Sequence, residues 1–235
     1  MRKQSPKFTR LALALQIAIA VPATATAQQL VVTDGTTQTA SGTYNTGTTA
    51  NAPTLVAIGD GSTITGSGVS ATTAGTSANA VLADQKGRIQ LVDSTLKTTG
   101  NEAYGALADD FGVVKLTNTQ IVTTGATDAH GAVAFAGGQM ELAGGSVATQ
   151  KGSGVAASGP GSVLTAQGTK VTVAGAVEGS HGATAQDGGV IRLGPGTSVE
   201  VDPAADGNGH GLLALGAGSQ IYASGATITT GAGTG

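Results

Sequence analysis

Short apolar runs recur along the chain at a nearly constant spacing, and small residues occupy fixed places within them. Each run ends in Ala and is followed four residues later by Gly, in seven consecutive copies that lie 23 to 29 residues apart. The alanines are Ala57, Ala83, Ala108, Ala134, Ala157, Ala185 and Ala214. The glycines are Gly61, Gly87, Gly112, Gly138, Gly161, Gly189 and Gly218. Self-similarity at such a period is typical of a solenoid built from stacked units.

Each copy continues with two further apolar positions. The first lies three residues after the Gly in the first and last copies, at Ile64 and Ile221, and two residues after it in the other five. Those five residues are Ile89, Val114, Met140, Val163 and Ile191. The second position follows seven or eight residues later, and a Thr-Thr-Gly or similar turn closes most copies. Short apolar segments separated by Gly, Asn, Asp and Ser predict three strands per copy.

Three short strands in a unit of about 25 residues match one turn of a parallel β-helix, whose coils stack about 4.8 Å apart. We therefore predict an all-β fold, a right-handed parallel β-helix (solenoid) of about seven coils over residues 54–235. The Gly at each corner is expected to adopt a left-handed backbone conformation. A leucine-rich repeat has a similar period, but its L-x-x-L-x-L core and Asn ladder are missing from this sequence.

The two ends differ from the repeat. Residues 28–53 are rich in Thr, Gln and Gly and do not match it, so they are predicted to form an N-terminal cap or irregular segment. The sequence stops directly after a coil. We expect the repeat domain to be truncated at its C-terminus and the sequence to be a piece of a longer protein.

The pattern leaves open which face of the first strand points to the core. One face carries the Ala column and also Leu55, Val81, Ala106, Ala132, Val155, Ala183 and Leu212. The other face carries Val56, Leu82, Leu107, Val133 and Leu213. Bulk favours the second face as core, whereas the mixed residues that come next on it, such as Asp84 and Gln186, favour it as surface. A slip of one residue exchanges the faces, so both alternatives stand.

The first residues have the form of a secretory signal peptide. Four basic residues within the first ten precede an apolar stretch, 11–21, and an Ala-x-Ala site follows. Eleven helical residues span about 16 Å, which is too short for the ~30 Å core of a bilayer. We therefore predict that residues 1–27 are a signal peptide, cleaved between Ala27 and Gln28, and that the mature chain has no transmembrane segment.

Composition and charge exclude several classes of function. The chain contains no Cys, which excludes disulfides and Cys-based zinc sites. Without the four basic residues of the leader, seven Lys and Arg remain against 14 Asp and Glu, a formal charge of −7. The seven basic residues form no cluster, and nucleic-acid binding requires one. Nucleic acid is therefore not an expected partner, and neither is an anionic membrane surface.

Three histidines are the main candidates for ligand chemistry. His130, His181 and His210 each directly precede the Gly that opens a copy. Stacking of coils would place His181 and His210 about 5 Å apart, with His130 two coils from His181. Two neighbouring imidazoles can share a metal ion, and a simple polar ladder at a corner explains the same pattern. Because no third ligand with fixed spacing is evident, we predict no metal site.

Four carboxylates fall between the Ala and the Gly of their copies: Asp84, Asp109, Asp110 and Asp187. Parallel β-helix lyases use Asp clusters for acid–base catalysis or calcium binding. Asp is also favoured in turns because its side chain bonds to the local backbone. Since no Lys or Arg recurs beside these residues apart from Lys86 and Arg88, we predict turn roles for them, and no catalytic or cofactor-binding residue.

A signal peptide followed by Gly-Ala-x-Ala-x3-Gly-x-apolar-x-apolar coils resembles the passenger region of pertactin-like autotransporters of Gram-negative bacteria. Residues 154–157 with 161–163, and residues 189–193, look like coils of that family, and the resemblance covers about residues 53–235. It implies export through the periplasm and a C-terminal translocator barrel in the full-length protein. It also implies display at the outer membrane or release outside the cell, as a virulence-associated adhesin.

The predicted function is accordingly that of a non-enzymatic adhesion or interaction rod. Its expected partners are a host cell surface, a matrix component or neighbouring copies of the chain. The alternative is a carbohydrate-active β-helix enzyme of the polysaccharide lyase or glycoside hydrolase type. Such enzymes need aromatic platforms for sugar rings, and the mature chain has only isolated aromatic residues: Tyr44, Tyr104, Phe111, Phe135 and Tyr222.

Overall fold

The protein is a stack of parallel strands. The structure, a computed structural model, describes residues 28–176, 180–203 and 209–231. These ranges contain 24 short strands joined by turns and no helix. Every third strand belongs to the same sheet, so there are three eight-stranded sheets, and each strand pairs in parallel with its equivalent in the next coil. The predicted all-β parallel solenoid is confirmed.

Each coil contributes one strand to each of the three sheets, here called sheets 1, 2 and 3 in chain order. Coils 1 to 4 are β1 (Leu30–Val32), β2 (Thr37–Ala40) and β3 (Thr43–Asn45); β4 (Leu55–Ile58), β5 (Thr63–Ser67) and β6 (Ser70–Thr73); β7 (Val81–Asp84), β8 (Arg88–Val92) and β9 (Thr95–Thr98); β10 (Ala106–Ala108), β11 (Val113–Thr117) and β12 (Gln120–Thr123). Coils 5 to 8 are β13 (Ala132–Phe135), β14 (Gln139–Ala143) and β15 (Ser146–Thr149); β16 (Val155–Ser158), β17 (Val163–Gln167) and β18 (Lys170–Ala176); β19 (Ala183–Gln186), β20 (Val190–Leu193) and β21 (Ser198–Pro203); β22 (Leu212–Leu215), β23 (Gln220–Ala223) and β24 (Thr227–Thr230).

The Ala column of sheet 1 lies inside the solenoid. From coil 2 to coil 7 these alanines are 0% exposed, as are the residues two positions before them. Sheets 2 and 3 complete the core with larger side chains such as Ile89, Leu91 and Leu96. Val56, Leu82 and Leu107 therefore lie on the outward face of sheet 1. Bulk alone would have favoured the opposite choice, but small residues let sheet 1 lie close to the larger side chains of the other two sheets.

The corner glycines have two different physical roles. Gly61, Gly161 and Gly218 have φ angles of +81°, +80° and +81°, as predicted. The other four have no positive φ, so the expectation of a left-handed Gly at every corner was wrong. These four are Gly87, Gly112, Gly138 and Gly189, where an added Cβ would lie 2.0 to 2.2 Å from the carbonyl oxygen of the Ala one coil back. Close backbone packing therefore excludes a side chain at those corners.

The corner type decides which downstream residue enters the core. In coil 6, which has a left-handed corner Gly, the inward residue is Leu164, and it aligns with Met140 and Ile191 of the neighbouring coils. Leu164 is 0% exposed, whereas Val163 is half-buried. The repeat pattern, which aligns Val163 with Met140 and Ile191, was therefore wrong by one residue in this coil. Ile64 and Ile221 follow the same longer corner, which explains their one-residue offset.

Residues 28–53 form a coil with the same three strands as the others. β1, β2 and β3 pair in parallel with β4, β5 and β6. Val32 takes the place of the Ala column and Tyr44 fills the third-sheet core position, so the repeat pattern does not identify this coil. Gln28 adds an antiparallel bridge to Asn45 at the end of the stack. The segment therefore has a regular strand structure in place of an irregular one, and its role as a cap stays a prediction.

A buried threonine ladder closes the coils. The side chains of Thr98, Thr123 and Thr149 are buried at the ends of their sheet 3 strands, and each hydroxyl donates to a backbone carbonyl of the following loop. Thr98 and Thr123 are the first residues of Thr-Thr-Gly turns. The bonds run from Thr98 to Ala103 (3.2 Å), from Thr123 to Ala129 (2.9 Å) and from Thr149 to Gly152 (3.1 Å). Within the described ranges, every buried side-chain nitrogen and oxygen has a hydrogen-bond partner.

The predicted leader, including Ala27, lies outside the described residues, and so the cleavage site stays a prediction. A search of the part of the chain that the structure describes finds no helix long and apolar enough to cross a membrane.

Candidate functional site

The outward face of sheet 1 carries a groove of about 340 Å³. It arises because coil 6 has small outward residues at Ser153, Ala156 and Ser158. At the same register, coil 5 carries the larger Val133 and Phe135. A coil with small outward side chains between coils with larger ones leaves a depression that runs along β16.

The polar groups in this groove are hydrogen-bonded to one another. The hydroxyls of Ser153 and Thr184 lie 2.8 Å apart, and the Gln186 amide donates to the Ser158 hydroxyl over 3.2 Å. Ser153, Ser158 and Thr184 are buried, whereas Gln186 is exposed. These contacts join coil 6 to coil 7 and hold the groove's polar side chains in fixed positions.

His130 and His181 lie along one wall of the groove and connect successive coils. The ring Nδ1 of His130 and that of His181 each accept a hydrogen bond from a backbone N–H of the next coil, and Asn79 does the same with its amide oxygen. The bonds are Tyr104 N–H to Asn79 Oδ1 (2.8 Å), Ser153 N–H to His130 Nδ1 (2.7 Å) and His210 N–H to His181 Nδ1 (3.2 Å). An Nδ1 that accepts is unprotonated, so the neutral ring carries its proton on Nε2.

The predicted stacking of the histidines is confirmed. The ring centroids of His181 and His210 lie 5.1 Å apart and the rings are nearly parallel, at 23°. Tyr104 and His130 form a tilted pair with centroids 5.3 Å apart. Because a backbone N–H occupies Nδ1 of His130 and of His181, only Nε2 of each ring is available to a ligand. The described residues contain no group of three or more His, Cys, Asp or Glu side chains that could hold a metal ion.

Burial favours the neutral form of the His130 and His181 rings. It lowers the pKa of His181 to about 4, and repulsion from His210 and His130 acts in the same direction. Burial also lowers the pKa of His130, although the Asp128 carboxylate opposes the change. Protonation of Nδ1 would in addition turn the acceptor of a coil-to-coil hydrogen bond into a second donor facing a donor.

We expect the stability of the solenoid to fall as the pH falls from about 6.5 to about 4. Between these pH values the unfolded chain binds a proton at His181 that the folded chain does not bind. Above pH 6.5 both states leave His181 neutral, so its contribution to the free energy of unfolding no longer changes with pH. One pKa unit corresponds to about 1.4 kcal/mol. After allowance for solvent at the open side of the groove, we expect a loss of about 1–3 kcal/mol. The loss is measured as the difference in the free energy of unfolding between urea denaturation at pH 7.5 and at pH 4.5.

The matched variants for this pH effect are His181→Asn and His210→Asn. Asn at 181 keeps an acceptor for the next coil, as Asn79 does, and cannot titrate. It should therefore remove the His181 part of the acid loss, whereas His210→Asn should retain most of it because burial is the main cause at His181. An unchanged acid loss in His181→Asn would contradict this assignment.

Of the four candidate carboxylates, Asp110 and Asp187 occupy turns at the edge of sheet 1, and Asp109 directly precedes the first of these turns. Asp84 is the last residue of β7, so the predicted turn position was wrong for this residue. Asp110 and Asp187 have left-handed φ angles of 39° and 52°, and the Asp110 N–H donates to the Asp109 carboxylate over 2.8 Å. Burial raises the pKa of Asp109, with further contributions from Asp84 and Asp110, against the lowering effect of that backbone bond. The bond to the Asp109 carboxylate is a local backbone bond of the kind predicted for turn Asp residues.

The groove includes residues that the sequence did not single out as a site. Phe135, Ser158 and Gln186 occupy equivalent positions in successive coils, one residue after the Ala column. The mixture of residue types at this position was the available signal for a functional surface. Tyr104 and Phe135, isolated in sequence, line the same groove. The second exposed Phe, Phe111, packs over Gly137 outside that lining.

Comparison of the chain with known protein families, with curated proteins and with solved structures finds no match.

Proposed function

We propose that the chain is the exported rod of a surface-displayed protein of the autotransporter passenger type and that it acts by binding. The observation that carries the proposal is the stack itself. Three sheets in register repeat the same outward positions from coil to coil. Such a surface offers many similar weak contacts, whose joint effect exceeds each single affinity when several engage together.

The chemistry of the groove supports binding over catalysis. A general base works best when its pKa lies near the working pH. The pKa of about 4 makes His181 a weak base at neutral pH, and its Nδ1 is already bonded to the backbone. The groove's hydroxyls and the Gln186 amide are bonded to one another. The raised pKa of Asp109 beside Asp84 and Asp110 is the observation that favours the enzyme alternative.

The test compares the exported chain as single copies and clustered on beads, on host cells and on extracellular matrix. We expect weak adhesion of single copies and an apparent affinity higher by about 10²–10⁴-fold for the clustered form. The same preparations are incubated with pectic and uronate polymers. Release of reducing ends or unsaturated sugars that Asp109→Asn with Asp110→Asn abolishes would favour the enzyme. Failure of the clustered form to adhere to any surface would overturn the proposal.

A further inference from the structure

The groove on sheet 1 is uncharged, although the described chain around it is acidic. Its described lining consists of apolar, Ser, Thr, Gln, Tyr and His side chains, and contains no Asp, Glu, Lys or Arg. The low pKa of His181 keeps that ring neutral at pH 7. A charged ligand would lose hydration in this groove without gaining a countercharge. The groove therefore suits a neutral ligand.

The polar groups of the groove suit a ligand with several hydroxyls. The Ser158 hydroxyl accepts from Gln186 and keeps its own hydrogen to donate. The exposed Gln186 amide keeps a carbonyl oxygen that accepts and a second N–H that donates. The rings of His130 and His181 keep an Nε2–H donor, because their Nδ1 atoms are bonded to the backbone. A sugar ring presents hydroxyls that also donate and accept, along its edges.

Apolar side chains frame these polar groups. Phe135 is 46% exposed on one side of the groove and Leu215 is 50% exposed on the other, with coils 6 and 7 between them. The exposed ring of Phe135 can pack against the C–H face of a sugar. An arrangement of a few placed polar groups among apolar surfaces is typical of small-ligand sites.

An extended peptide fits this surface less well. Peptides that add to a sheet obtain affinity from main-chain hydrogen bonds at a free strand edge. β16 pairs with β13 on one side and β19 on the other, so its backbone groups are already used. A ligand on this face must be recognised by side chains alone.

We infer that the sheet 1 groove binds an uncharged sugar unit of a glycan, with one ring in the depression along β16 and its apolar face against Phe135. This inference rests on the proposed function and gives the rod the class of its ligand. It also explains the small residues of coil 6. At the register of Ala156, the outward positions of coils 2 to 5 are held by Val or Leu.

The experiment titrates the exported chain by calorimetry with trisaccharides of glucose, galactose and N-acetylglucosamine, and with trigalacturonate as the acidic counterpart. Ala156→Leu fills the depression with a residue that equivalent coils carry, so it should fold normally and abolish binding. Its control is Ala148→Leu, an outward Ala of sheet 3 that lies between Val122 and Thr172. Circular dichroism and the melting temperature verify that each variant folds.

A second pair of variants tests the aromatic contact. Phe135→Ala should weaken binding of the neutral sugar by about two- to tenfold, the usual range for one aromatic contact. Phe111→Ala removes the exposed Phe outside the groove and should leave binding unchanged. Binding of trigalacturonate alone, no binding of any neutral trisaccharide, or equal losses in both variants of a pair would overturn the inference. Adhesion of the clustered chain that no neutral sugar inhibits would leave the rod function standing and reject the sugar site.

Discussion

Replacing Gly138 by Ala should destabilise the solenoid by about 3 kcal/mol or more. The added Cβ would lie 2.0 Å from the carbonyl oxygen of Ala108 and 2.6 Å from its carbonyl carbon. Both atoms belong to the backbone of the adjacent coil, so neither can move without displacing its strand. Overpacking of this kind costs about 1–3 kcal/mol where side chains can adjust, and more where they cannot. Urea denaturation and hydrogen exchange of the β10 and β13 amides measure the loss.

The control for this variant is Gly194→Ala. Gly194 has no positive φ, and its nearest atoms lie 3.5 Å or more from the added Cβ, which is ordinary contact. A compatible Gly→Ala change restricts the unfolded chain and stabilises by about 0.4–1 kcal/mol. We therefore expect Gly194→Ala to be neutral or slightly stabilising. Equal stability of the two variants would refute the close-approach role of the four corner glycines.

Replacing Leu164 by Ala should cost about 2–5 kcal/mol, as truncation of a buried Leu does in other proteins. Leu164 is 0% exposed in the middle of sheet 2, between Met140 and Ile191. Coils above and below hold its neighbours in place, so the cavity cannot collapse fully. Because solenoids can open locally, exchange of the β14, β17 and β20 amides should accelerate more than exchange in β5.

Two substitutions serve as controls for Leu164→Ala. Val163→Ala alters the residue that the sequence pattern aligns with the buried Met140 and Ile191, yet Val163 itself is half-buried on the outer side. Leu215→Ala removes the same side chain from a position that is 50% exposed. Both should cost less than about 1 kcal/mol. A larger loss at Val163 than at Leu164 would mean that the register of β17 is shifted by one residue.

The repeat of Ala and Gly was sufficient to predict the architecture. A small residue every 23 to 29 residues has to occupy the same place in every coil, because in-register stacking brings equivalent residues together. The same argument placed His181 and His210 next to each other, and their rings lie 5.1 Å apart. Coil 1 did not follow from the pattern, because Val32 and Tyr44 stand where the other coils have smaller or aliphatic residues.

The sequence by itself determined the number of strands per coil, their parallel stacking and the alignment of the Ala column from coil to coil, since these follow from periodicity. It did not determine the alignment in sheet 2 of coil 6, where the corner type places Leu164 and not Val163 beside Met140. Only the tertiary structure decided which face of sheet 1 is inside, because a slip of one residue satisfies the same period with the faces exchanged. It also decided which corner glycines have a positive φ and which leave no room for a Cβ beside the backbone of the adjacent coil. The groove depends on the sizes of outward side chains in adjacent coils, from Phe135 to Ala156 and Thr184, and those sizes meet only when the coils stack.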